Sequence, residues 1–131
     1  MKTNARSMQH ARSLGWLVWR VERRLPKTFT TVDLFGCFDS VALVPGERRT
    51  VGIQSCGVDV GVHLRKLTED EEVMPLHRAW LQAGNESQLW AWRKLKFRKK
   101  DGSWSSAVRW KCRRFVFEDA PGGVYYEEIA G

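Results

Sequence analysis

Residues 32–56 read VDLFGCFDSVALVPGERRTVGIQSC. Two β-prone runs, FDSVALV and TVGIQSC, flank Pro45-Gly46-Glu47, a turn-forming triplet, so the stretch reads as an antiparallel hairpin. Asp33, Asp39 and Gln54 stand among its apolar residues. Asp is depleted in strands, and a carboxylate in a packed strand is costly to desolvate unless a partner, a metal or water meets it. Something has to meet these side chains.

Upstream, residues 3–14 contain no Gly or Pro, with Thr3 or Asn4 placed to cap and Gly15 just past the end, and predict a short helix. WLVWRVERR then alternates with period 2 as a strand does, and Pro26 ends it. Downstream, Val62, Leu64 and Leu67 begin a helix. PLHRAWLQAGN reads as another, closed by Gly84, with Thr68 and the acidic run 69–72 as its cap and first turn. In LWAWRKLKFRKK, Leu89, Ala91, Leu95 and Phe97 alternate with Trp90, Trp92, Lys94, Lys96 and Arg98. Asp101-Gly102 turns the chain, and AVRWKCRRFVF returns with Arg109, Lys111 and Arg113 opposite Val108, Trp110 and Cys112. One face of this second hairpin is expected to be core and the other cationic. Phe115 and Phe117 take the wrong parity, which predicts a bulge or strand end at Arg113-Arg114. Residues 118–131, Gly-rich and acidic, are expected to be an irregular tail. Trp16, Trp19, Trp80 and Trp110 fall at core-like positions. The whole predicts one α+β domain over 1–131, with a mixed central sheet and an added C-terminal basic β-hairpin.

A chain of 131 residues with 43% hydrophobic content suits a single core. No apolar run approaches the roughly 20 residues needed to cross a bilayer, and no signal-peptide pattern opens the chain, so a soluble, cytoplasmic protein is expected. Cys37, Cys56 and Cys112 are odd in number and form no CxxC pair, which argues against a disulfide framework or a zinc knuckle. The net charge of +7 is concentrated: residues 1–30 carry seven Lys/Arg and one acid, and residues 88–117 carry ten and one. Clustered basic charge points toward nucleic acid or toward a solvated face. His10, His63 and His77 lack the setting of a nucleophilic triad.

The order helix, strand, hairpin, helix, helix, hairpin, together with the segments GWLVWRVERRLP, VDLFGCFDSVAL, VGIQSCG, HLRKL, AWLQAGN and WRKLK, resembles the PD-(D/E)XK nuclease superfamily. Within it the likeness is to small phage and prophage proteins related to Holliday junction resolvases, and it covers roughly residues 10–112. The resemblance implies an αβββαβ restriction-endonuclease-like core and a phage or bacterial origin. It also implies Mg²⁺- or Mn²⁺-dependent endonuclease activity on branched or structured DNA. Asp39 takes the motif's Asp position, Gln54 the Glu position and Cys56 the Lys position. Asp39 and Gln54 are then the expected metal ligands, with Asp33 either a further carboxylate ligand or a residue that caps or ends its loop, since oxygen donors suit a hard cation that polarises phosphate and activates water.

A thiol at position 56 does not replace a Lys. Members of the superfamily recruit that cation from another element, which makes Lys66 the expected third catalytic residue beside Asp39 and Gln54, with His63 as an alternative proton carrier. Arg65 and Lys66 as solvated helix charges are the competing reading. Lys94, Lys96, Arg98, Arg109, Lys111 and Arg113 are expected to hold phosphates, with Trp90 and Trp92 stacking on unpaired bases. Trp90 and Trp92 as contacts within a homodimer are the alternative, because cutting two strands suits twofold symmetry. A nuclease-fold protein that binds nucleic acid or a partner without cleaving is the other functional class in play.

Overall fold

A computed structural model describes residues 2–28 and 30–130. The elements run α1 (Thr3–Ser13), β1 (Leu17–Arg20), β2 (Arg23–Arg24), β3 (Thr31–Val32), β4 (Ser40–Val44), β5 (Arg49–Cys56), α2 (Val60–Glu69), α3 (Val73–Gln82), β6 (Glu86–Arg98), β7 (Trp104–Ala120) and β8 (Gly123–Ile129). β1, β4, β5, β6, β7 and β8 form one six-stranded mixed sheet in that order, and β2 and β3 pair separately. β5 and β6 are parallel, joined through α2 and α3, and every other neighbouring pair is antiparallel. Parallel neighbours need such a crossover, whereas the hairpins close through short turns. Gly46 and Gly102 take positive φ there, at 83° and 86°.

The sheet has a core on each side. Against α1 lie Val18, Ala42, Val51, Ile53, Trp90, Trp92 and Cys112 with Met8 and Ala11. Against α2 and α3 lie Phe38, Cys56, Leu89, Ala91, Phe115, Phe117 and Val124 with Leu67. The strands alternate between these two layers. Phe38 is seated on Gly52, where a Cβ would lie 2.7 Å from the ring, so residue 52 has no room for a side chain. Trp80 closes over Phe38 at 4.8 Å between ring centroids. This packing fixes the chain just before β4 and so positions residue 39.

Several expectations are corrected. Residues 118–129 are not an irregular tail: β7 runs to Ala120 and β8 pairs with it from Ala120↔Gly123 to Arg114↔Ile129, anchored by buried Val124. No bulge falls at Arg113-Arg114, since the β6–β7 register is continuous there and shifts between Lys96 and Arg98. Cys112 packs under α1 whereas Phe115 and Phe117 pack under α2 and α3, so the change of parity marks a change of core along one strand. Trp19 and Trp110 are exposed at 75% and 37%, and Val18 is the inward residue of the edge strand β1. Thr68 does not cap α3. Its hydroxyl donates to the Leu64 carbonyl, and the Asp70 carboxylate accepts from the Glu72 and Val73 amides instead.

Candidate functional site

Asp39 immediately precedes β4, and the register Ser40↔Ile53 sets it beside Gln54. Its Oδ2 accepts from Gln54 Nε2 at 3.2 Å and from the Ser55 amide at 3.1 Å. Lys66, in the second turn of α2, reaches back to donate to Gln54 Oε1 at 2.7 Å. A chain of contacts from carboxylate to amide to ammonium therefore joins β4, β5 and α2. Asp33 follows β3 and lines the same cleft, with Glu22, Asn4, Ser55, Thr31, Arg20 and others, in an open volume of about 670 Å³.

Two oxygens in the lining of this cleft, Asp39 Oδ1 and Asn4 Oδ1, are buried with no hydrogen-bond partner among the described residues. Such atoms are rare and costly unless something meets them. Burial pushes the Asp39 carboxyl up to about 7; the Ser55 amide opposes this, and the nearby Asp33 and Glu22 carboxylates reinforce it. Asn4 also donates to Glu22 Oε1 at 3.1 Å and to the Asp39 carbonyl at 3.4 Å, tying α1 to the cleft. Asp39, Asp33, Glu22 and Asn4 offer this cleft the oxygen donors that a hard divalent cation takes, but among the described residues the three carboxylates are not gathered within 4.8 Å of one another.

Gln54 is arranged differently from what its motif position implies. Its amide nitrogen faces Asp39, and its oxygen is held by Lys66, so in this orientation it orders the carboxylate rather than offering a ligand atom. Lys66 is not among the residues lining the cleft and reaches Asp39 only through that amide. Cys56 lies buried on the same face of β5 as Gln54, its thiol pushed up to about 12 chiefly by burial. Glu22 was not anticipated from the sequence, and Asn4 was expected only as a possible helix cap, a role it does not take because Lys2 is the N-cap of α1. Glu22 is the sole acid among residues 1–30, and that isolation was the available signal.

The basic hairpin is also rearranged. Trp90 and Trp92 are 0% and 6% exposed, so they lie beneath α1 and are not available to stack on bases or to meet a second subunit. Trp92 Nε1 donates to Ser7 Oγ at 2.8 Å, and Trp90 Nε1 donates to Gln88 Oε1 at 2.8 Å. Beyond them β6 and β7 run on together, since β5 pairs with β6 only as far as Ala91 and β8 pairs with β7 only from Arg114.

On this arm Lys94, Lys96 and Arg98 share one face with Trp110, Val108 and Trp104, and Arg109 and Lys111 belong to the opposite face. The six cations do not share a single face. Arg113 is paired with Glu128 through two bonds of 2.8 and 3.0 Å, which neutralises it. Trp104 and Trp110 take the exposed aromatic positions: the Arg98 guanidinium lies 4.6 Å from the Trp104 ring and Lys94 5.3 Å from Trp110.

No helix among the described residues is long and apolar enough to cross a membrane. No family model, curated protein or solved structure matches the chain.

Proposed function

We propose that the protein is a divalent-cation-dependent endonuclease of the PD-(D/E)XK type that acts on branched or structured DNA. The observation that carries this reading is the unpartnered, buried Asp39 Oδ1 on the wall of an open cleft that Asp33, Glu22 and Asn4 also line. A bound Mg²⁺ or Mn²⁺ supplies Lewis acidity toward the phosphate and a more acidic water. Asp39 would be the principal residue to hold it, Asp33 and Glu22 would have to move toward Asp39 or act through water, Asn4 would add a neutral oxygen, and the Gln54–Lys66 pair keeps Asp39 oriented. Arg20 and Lys2 at the exposed margin of the cleft balance the phosphate's charge.

The arm supports nucleic acid as the substrate class. A two-stranded ribbon with cations on both faces fits the major groove, which is wide enough to admit one. Trp104 offers an aromatic face to unpaired bases at a branch, whereas the Trp110 ring is covered by the Arg6 guanidinium 3.7 Å from its centroid. Cutting both strands of a junction would use a homodimer.

A second reading, binding without cleavage, is favoured by one observation: the Gln54 oxygen is engaged by Lys66, and the motif's Lys position holds a neutral thiol. Cleavage assays on junction, flap, duplex and single-stranded DNA, with Mg²⁺ and Mn²⁺ in parallel, separate the two. The nuclease reading expects metal-dependent cleavage that Asp39→Asn abolishes while DNA affinity stays the same or rises. Binding to junctions without cleavage in either metal rejects it in favour of the second reading.

A further inference from the structure

Cys56, at the end of β5, Asp59, just before α2, and His63, one turn into that helix, bring a thiol, a carboxylate and an imidazole together, with donor atoms all within 4.8 Å of one another. From this juxtaposition we propose a second cation site, separate from the carboxylate cleft and suited to a borderline-soft divalent ion such as Zn²⁺. The nuclease reading does not require it.

The donor types decide the metal class. Sulfur, imidazole nitrogen and a single carboxylate are the ligands of zinc and its neighbours, whereas Mg²⁺ takes oxygen alone. Tetrahedral zinc with bonds of about 2.0–2.3 Å sets its ligand atoms roughly 3.3–3.8 Å apart, so the three donors need close by only about 1 Å. One further feature points to a ligand. His63 Nε2, the ring nitrogen that would face a shared ion, lies 3.2 Å from Asp59 Oδ2. Asp59 occupies the N-cap position of α2, where Asp ordinarily accepts from a backbone amide, yet its side chain makes no such bond and is turned to His63. Asp59 is largely exposed and gives an ion a path in from solvent, and Cys56 closes the site from within.

On binding, the Cys56 S–H bond breaks, the sulfur–metal bond forms and the proton leaves to solvent. Three protein ligands leave a fourth position for water. One residue pair, Gln54 and Cys56, spaces this site from the cleft along a single face of β5, and Lys66 on the same helix meets Gln54. An ion held by Asp59 and His63 therefore steadies the helix whose lysine orders the cleft.

Titration of the reduced full chain with Co²⁺, followed by Zn²⁺ competition, tests the site. The expected result is a thiolate-to-cobalt charge-transfer band saturating near one ion per chain, with about one proton released and the band displaced by Zn²⁺. His63→Ala and Cys56→Ser should each weaken binding by at least about a hundredfold, the band vanishing in the second. His63 is only partly buried, so its variant keeps the test valid if Cys56→Ser fails to fold. Asp39→Asn, which disables the cleft, should leave the band intact. Absence of a charge-transfer band overturns the proposal, as does a band that survives both triad variants, which would belong to Cys37 or Cys112. A band lost in Asp39→Asn also overturns it, by making the thiolate-bound ion depend on Asp39 and so not separate from the cleft.

Discussion

Replacing Asp39 with Asn should stabilise the protein at alkaline pH relative to the wild type and lose that advantage in acid. Asn is isosteric: its oxygen can accept from Gln54 and the Ser55 amide, and its NH₂ takes the place of the unpartnered Oδ1. What changes with pH is the charge. Burial raises the Asp39 carboxyl from 3.8 to about 7, so the native state holds this proton more tightly than the unfolded chain does. The unfolded-state preference for ionisation then subtracts from stability as pH climbs from about 4 to about 7, and the loss is complete above that. Roughly three pKa units amount to on the order of 4 kcal/mol, an upper figure because relaxation and water entry soften the penalty. His77 slopes the other way: burial lowers its imidazole, with the bond to the Leu67 carbonyl opposing, so stability falls as pH drops below about 6.5. Wild-type stability alone therefore mixes two opposed trends. The quantity to measure is the difference between Asp39→Asn and wild type, from urea unfolding in EDTA at about pH 4, 6 and 8. That difference should move by about 2–4 kcal/mol in favour of the variant across the range. A difference that stays constant with pH would refute the buried, proton-holding Asp39. Saturating Mg²⁺ at about pH 8 should close the gap from the other side, stabilising the wild type by about 2.7 kcal/mol at a hundredfold excess over Kd and leaving Asp39→Asn unmoved.

Trp90→Ala should cost about 3–5 kcal/mol in unfolding free energy, as a core truncation does; an effect confined to DNA affinity, with stability unchanged, would contradict its burial under α1. DNA affinity should fall on the order of a thousandfold between 50 and 200 mM salt if about six arm cations meet phosphates, and reversing Lys94 and Lys96 to Glu should flatten that slope. Trp104→Ala should weaken binding to junctions or single strands more than to duplex, read by fluorescence anisotropy with the three DNA forms side by side. His77→Gln should reduce the loss of stability below about pH 6.5, leaving the part that His10, also lowered by burial, contributes, while retaining a donor and an acceptor for Ser87 and Leu67; an undiminished slope in the variant would assign the titration elsewhere.

Pairing was legible in the sequence because it rests on local chemistry. Pro45-Gly46-Glu47 and Asp101-Gly102 dictate turns, and the first hairpin sets Asp39 beside Gln54 as expected; in the second, the register shift between Lys96 and Arg98 places Lys94 opposite Trp110, where counting from the turn puts it on the face of Arg109. What covers a face does not follow from the same counting. Alternation assigned Trp90 and Trp92 to the face of Lys94 and Lys96, which is the face they occupy, but the tryptophans lie under α1 and the lysines extend beyond it. The covering residues, such as Ser7 and Met8, are more than eighty positions away in the chain. The same gap explains β8: a Gly-rich acidic segment becomes a strand because Phe117 and Val124 share a core with α2 and α3, a long-range condition with no local signature.

The cleft divides along the same line. Adjacency of Asp39 and Gln54 is a property of the hairpin, whereas the direction of the Gln54 amide is decided by Lys66 twelve residues later and by the carboxylate it must satisfy. An amide between an anion and a cation has one low-energy orientation, nitrogen to the anion and oxygen to the cation. A Glu at position 54 would instead place a second negative charge against Asp39, tolerable when a bound cation or Lys66 balances the pair. The neutral amide removes that repulsion and lets the site fold without metal, at the cost of one carboxylate ligand. On the proposed reading, Glu22 and Asn4, brought by the segment after β1 and by α1, would add oxygens to an ion met by Asp39, so Glu22→Gln should lower metal affinity without disturbing the Asp39–Gln54–Lys66 chain.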